Sequence, residues 1–151
     1  MKVTNRIIIL GLLMSCNSQQ EASVNKDLPA SEVKATATNN CYQYATAADT
    51  IALKITHQGD SITGTLVYKL KEKDSNNGTI RGVMKNNVLI ADYTFMSEGI
   101  QSVRQVAFKS EGNSFIEGYG DGIDQDGKFM FKNSDSLTFS SSIKLSEVVC
   151  Q

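Results

Sequence analysis

The side chains that could carry chemistry in this chain are few, and their spacing narrows what that chemistry can be. Its one histidine, His57, stands just before Gly59-Asp60-Ser61-Ile62. A serine nucleophile needs a base to take its proton and a third group to orient that base. No Asp-x-x-His pair stands near the C-terminus to complete such a set, so the stretch reads as a polar hairpin turn. Asp121, Asp124 and Asp126, followed by Gly127, bring carboxylates close together, as an oxygen-ligated calcium ion requires. A helix-flanked calcium loop would also need an oxygen ligand where Gly122 stands and a glutamate where Asn133 stands. Both are missing, so the segment reads as a solvated hairpin loop and no metal site is expected.

The densest polar and aromatic stretch is Asp92-Tyr93-Thr94-Phe95-Met96-Ser97-Glu98-Gly99, followed by Ser102-Val103-Arg104-Gln105. On two antiparallel strands joined by a short turn, Tyr93, Glu98, Ser102 and Arg104 would meet near one rim. Arg104 shares its alternation with Ile100, Val106 and Phe108, which points it inward. An inward arginine needs a carboxylate or a ligand anion, because an unpaired buried charge is costly. Two readings follow: Arg104 pairs with Asp92 or Glu98 and pins the register, or Arg104 and Tyr93 mark a binding site. No residue is assigned a catalytic role, and no cofactor is expected.

The elements that position these residues are strands. Ile51, Leu53 and Ile55 alternate with Ala52, Lys54 and Thr56; Ile62, Gly64, Leu66, Tyr68 and Leu70 repeat the pattern. Lys73–Gly78 reads as a loop ending in an Asn-Gly pair. Thr79–Lys85, Val88–Met96, Ile100–Lys109 and Ser114–Tyr119 follow as strands. Beyond the acidic loop come Lys128–Phe131, Leu137–Phe139 and Ile143–Cys150. About eight or nine short strands, with turn signals every 8–12 residues and no helical stripe, predict an all-β antiparallel up-and-down meander. It closes as a small lipocalin-like barrel or folds as a sandwich. Glycines inside strands (Gly64, Gly82, Gly118) fit the sharp coiling of a barrel or the wall of a cavity.

The N-terminus carries an address. Lys2 and Arg6 precede Ile7–Leu13, an apolar run shorter than the ~20 residues a membrane-spanning helix needs. Leu13-Met14-Ser15-Cys16 then resembles the lipobox of bacterial lipoproteins, which implies cleavage after Ser15 and acylation of Cys16. Residues 1–15 are the expected signal peptide and 16–40 a lipidated, flexible tether, reaching roughly 25 Å on random-coil statistics. Residues 41–151 form the expected β-domain. With Cys16 acylated, Cys41 and Cys150 remain to bracket that domain as a disulfide in an oxidising compartment.

The whole chain carries 15 basic and 16 acidic residues; loss of Lys2 and Arg6 leaves 13 basic residues against the 16 acids. That balance argues against nucleic acid, which needs a concentrated basic footprint. It also leaves the acyl chains to supply the membrane affinity.

Ala91–Gly99, Ser102–Phe108 and Glu117-Gly118-Tyr119-Gly120 resemble a set of small lipoproteins of the Bacteroidota, with the likeness running from about Cys41 to Cys150. The resemblance implies the domain boundary and no catalytic residue. Asn17-Ser18-Gln19-Gln20 departs from the acidic run that surface-exported members carry, which implies the periplasmic side of the outer membrane. The expectation is a monomeric, non-enzymatic lipoprotein that binds a small apolar or amphipathic ligand, lipocalin-like by fold analogy. The alternative is a module that binds an envelope protein, as small disulfide-closed barrel lipoproteins inhibit lysozyme.

Overall fold

The computed structural model of the protein describes residues 38–139 and 142–151. The expected signal peptide, Cys16 and most of the tether lie outside the described residues. Ten strands follow one another: β1 (Thr38–Ala45), β2 (Thr50–Gln58), β3 (Ser61–Lys69), β4 (Asn76–Lys85), β5 (Val88–Ser97), β6 (Ile100–Ser110), β7 (Ser114–Gly118), β8 (Gly122–Gln125), β9 (Lys128–Phe131) and β10 (Lys144–Val148). β1 to β7 pair in chain order. β10 then pairs with both β7 and β1 and closes an eight-stranded antiparallel barrel. Of the two forms left open by the sequence, the barrel is the one adopted.

Hairpin chemistry sets the register. Gly59 (φ +62°) opens the two-residue β2–β3 turn, and Asn86-Asn87 (φ +50° and +62°) and Glu98-Gly99 (φ +51° and +81°) form turns with both central residues left-handed. Such turns match the right-handed twist of the flanking strands. The register they fix keeps one alternating set of side chains inside along every strand. Leu53, Ile55, Ile62, Leu66, Leu89, Phe108, Phe115 and Leu145 are fully or almost fully buried there.

The barrel has unlike ends. At one end the tight turns after β2, β4 and β6 bond to neighbouring strands: Met84 N to the Asp60 carbonyl at 3.1 Å, Ser110 N to Asn87 O at 2.8 Å, and Glu147 N to Asn113 O at 2.9 Å. The Cys41–Cys150 disulfide (Cα–Cα 5.2 Å) ties the first strand to the chain's last residues at the same end. The other end carries the longer β3–β4 loop and the excursion between β7 and β10.

Three local expectations change. The acidic hairpin loop carries a strand of its own: β8 runs through Asp124 and turns at Asp126-Gly127 (φ +52° and +77°) into β9. Asn77-Gly78 is not a turn but the start of β4, because Gly78 lets its backbone approach the Thr94 carbonyl more closely than any side chain would permit. Leu137–Phe139 forms no regular strand; only Thr138 bridges, to Tyr119, while Phe139 packs over Gly118.

β9 lies parallel to β6, pairing Val103 with Lys128 and Arg104 with Phe129. It occupies the part of β6 that β7 leaves open. Lys128 Nζ clamps it to Asp92 Oδ2 at 2.6 Å, and the Gln105 side-chain oxygen accepts from Phe131 N at 3.0 Å.

Candidate ligand site at the barrel mouth

Alternation along β5 and β6 sends Tyr93 and Arg104 to the same face, directly opposite each other. Tyr93 is fully buried, and Arg104 is half-buried above it. The guanidinium carbon lies 5.1 Å from the Tyr68 ring centroid, 5.4 Å from Phe95 and 5.5 Å from Tyr93. Tyr93 stacks on Phe95 with centroids 4.7 Å apart and meets Tyr68 edge-on at 5.9 Å. The three rings hold the cation by their π faces, an attraction of about 0.5–2 kcal/mol depending on desolvation.

Arg104 pairs with neither carboxylate considered for it from the sequence. Asp92 belongs to the outward alternation of β5 and is taken by Lys128. Glu98 sits exposed on the β5–β6 turn. Among the described residues Arg104 forms no ion pair; its Nε is buried without a hydrogen-bond partner, and so is the Tyr93 hydroxyl. Two buried donors in one cluster thus lack acceptors, an uncommon state that calls for a reason.

The acid nearest in function was not singled out from the sequence. Glu117 follows Phe115 on the inward alternation of β7 and is 7% exposed. Tyr68 Oη donates to its Oε1 at 2.5 Å and Tyr119 Oη to its Oε2 at 3.0 Å. Burial raises the Glu117 pKa; the two hydroxyl donors and the positive charge of Arg104 oppose that rise without cancelling it. Burial likewise raises Tyr68 and Tyr119, reinforced by the negative charge of Glu117. Tyr93 is pushed up to about 12 by burial against the pull of Arg104, so its hydroxyl is a protonated donor at neutral pH. The one available sequence signal for Glu117 was its place two residues beyond Phe115, which puts a carboxylate on a core-facing stripe.

Above this cluster the barrel opens into a cavity of about 400 Å³. Arg104, Glu117 and Tyr68 form its polar floor beside Ile51. Leu70, Ile143, Phe129 and Phe131 supply apolar walls, and Lys73 and Asp74 stand on the β3–β4 loop. The Phe129 and Phe131 rings meet edge-on at 5.8 Å, so the β9 segment is the aromatic side of the mouth.

Of the four residues picked from the sequence, Tyr93 and Arg104 come together, and only Arg104 lines the cavity. Tyr93 is buried beside it, Ser102 shares their strand face, opposite Phe95, without reaching the cavity walls, and Glu98 faces solvent. His57 and Ser61 lie on opposite faces of the β2–β3 hairpin, since side chains alternate along each strand and Ser61 pairs with Gln58. Among the described residues no three His, Cys, Asp or Glu side chains gather as a metal site would require, and Asp121, Asp124 and Asp126 are distributed along the β8–β9 hairpin and its approach.

No family model, no curated protein and no solved structure matches this chain.

Proposed function

We propose that this protein is a binding domain of the bacterial envelope that takes a small amphipathic molecule into the mouth of its barrel. The observation that carries this reading is Arg104, held over three aromatic rings without an ion-pair partner on the floor of an open cavity. The volume lies within the range of about 300–1,000 Å³ typical of small-molecule sites. The floor offers donors and the walls offer apolar and aromatic surface, the division an amphipathic guest requires. Below the floor the core is filled, so the guest lies in the mouth and does not thread the barrel.

The address rests on the sequence. Leu13-Met14-Ser15-Cys16 and the resemblance to Bacteroidota lipoproteins support an acylated Cys16 that tethers the domain, on the periplasmic side of the outer membrane. Intact mass of the protein from its own membrane checks this: a triacylated Cys16 supports it, and an unlipidated mass removes it. The proposed activity is binding without turnover. Catalysis abolished by Arg104→Ala or Tyr93→Phe would overturn that.

Leu70→Trp tests the cavity. Leu70 lines the mouth at the end of β3 and is only partly buried, so an indole there fills the space with the barrel below it intact. The variant is expected to keep the wild-type circular dichroism and to lose binding of a fluorescent amphiphile such as anilinonaphthalene sulfonate. Unchanged binding would refute the mouth as the site.

A second reading, protein docking, is favoured by one observation. Met96 and Ile100 flank the β5–β6 turn at 54% and 70% exposure, and Ile123 on β8 is 43% exposed. Charge substitution at Ile100 that abolished capture of an envelope protein, with the cavity still competent for ligand, would favour that reading.

A further inference from the structure

Resting on the reading of the mouth as a ligand site, we infer that the ligand's polar end is a monoanionic carboxylate, received by the Arg104 guanidinium. The donors come first. Arg104 lines the cavity, and among the described residues its Nε is buried without a partner, as is the hydroxyl of its cross-strand neighbour Tyr93, which is not among the cavity walls. Leaving such donors unmade costs the molecule their desolvation, a cost that an incoming acceptor removes. A guanidinium presents its N–H groups in a planar fork that matches a carboxylate. The rings of Tyr68, Tyr93 and Phe95 hold that fork in place before the ligand arrives, so little side-chain freedom is lost on binding.

Charge selects among anions. The charged residues that line the cavity are Arg104 and Glu117 on its floor and Lys73 and Asp74 on the exposed β3–β4 loop; both Glu117 oxygens already accept from Tyr68 and Tyr119. With those oxygens engaged and Asp74 exposed on the loop, the floor offers a ligand ammonium no free carboxylate, which argues against an amine or a zwitterion there. A dianionic phosphate would bring two negative charges to a cavity whose two cations, Arg104 and Lys73, are already matched in number by two acids, Glu117 and Asp74. A monoanion fits. The apolar walls formed by Ile51, Phe129 and Phe131 take the body of the molecule, and the cavity volume limits that body to a short chain or a single ring.

A matched series tests this. The chain is produced with Cys16→Ser so that no detergent competes, and titrated calorimetrically with octanoate, 1-octanol and octylamine. Octanoate is expected to bind about tenfold or more tighter than octanol, with octylamine weakest. Arg104→Gln is expected to erase the gap between acid and alcohol. The wild-type ranking is informative even if Arg104→Gln fails to fold. Equal affinity for octanoate and octanol, or a preference for the amine, would overturn the carboxylate assignment and leave the cavity reading standing. Binding of none of the three would overturn both.

Discussion

Arg104 and Glu117 share one barrel floor without forming an ion pair, and each answers burial differently. Arg104 gives its charge to three aromatic faces. Glu117 takes two tyrosine hydroxyls and still has a pKa raised above its ordinary value of 4.5, because desolvation outweighs those donors. A carboxyl that binds its proton more tightly folded than unfolded contributes stability that is full below about pH 4.5 and is lost as pH rises through the folded value. The groups facing it are Tyr68 on β3, Tyr119 beyond β7 and Arg104 on β6. Glu117→Gln keeps the shape and removes the charge. In urea titrations the wild type is expected to lose stability relative to the variant as pH rises above 4.5. A difference that moves in the wild type's favour with rising pH would contradict the burial argument.

Elements of the barrel differ in how firmly they are held. β2 and β3 pair over nine residues, whereas β9 meets β6 through two residue pairs, one partly exposed ion pair and one side-chain acceptor. Partly exposed ion pairs contribute about 0–1 kcal/mol, so the β8–β9 hairpin is the loosest part of the mouth wall. Its amides are expected to exchange with deuterium well before those of β2 and β3, and a bound ligand touching Phe129 and Phe131 is expected to slow them. Equal protection in both regions would contradict this ranking. Glycine sets the tight coil elsewhere. A Cβ at Gly64 would fall 1.9 Å from the Lys54 carbonyl oxygen, backbone against backbone, so neither side gives easily. Gly64→Ala is expected to cost about 1–3 kcal/mol by denaturant unfolding, as overpacking does.

What was legible in the sequence follows from period two. The stripes Ile51-Leu53-Ile55, Ile62-Leu66-Tyr68 and Leu89-Ala91-Tyr93 are buried inside the barrel as their alternation requires, and Arg104 points inward with Val106 and Phe108. Parity along a strand is local, so residues alone reveal it. Partnership across the barrel is not. The Glu117–Tyr68 bond joins residues 49 apart in the chain, and no spacing rule reports such a contact. The β8 strand was hidden because Asp124 and Asp126 carry charge that suits a loop and an exposed hairpin equally well. Asn77-Gly78 misled in the opposite way, since the glycine serves close strand approach and not a turn.

At the scale of the whole molecule, closure decides what the two ends can do. β10 seals the barrel against β1, and Cys41–Cys150 fastens that seam across a separation of 109 residues. A loop of this length stabilises by up to about 4.7 kcal/mol in the chain-entropy model. Cys41→Ser with Cys150→Ser is expected to lower unfolding stability toward that amount, and an unchanged denaturation midpoint would show that β-pairing alone closes the seam. With the tight-turn end fastened by the disulfide and the core filled, the proposed binding lies at the mouth.

The most direct test of that account is a two-dimensional amide and arginine side-chain NMR titration of the Cys16→Ser chain with octanoate. Saturable shifts at the Arg104 Nε–H and at the amides of Ile51, Tyr68, Glu117 and Phe129, with Asn39, Asn113 and Val148 at the disulfide end unmoved, are the predicted result. Shifts confined to the disulfide end or the outer sheet face, or none at Arg104, would contradict it.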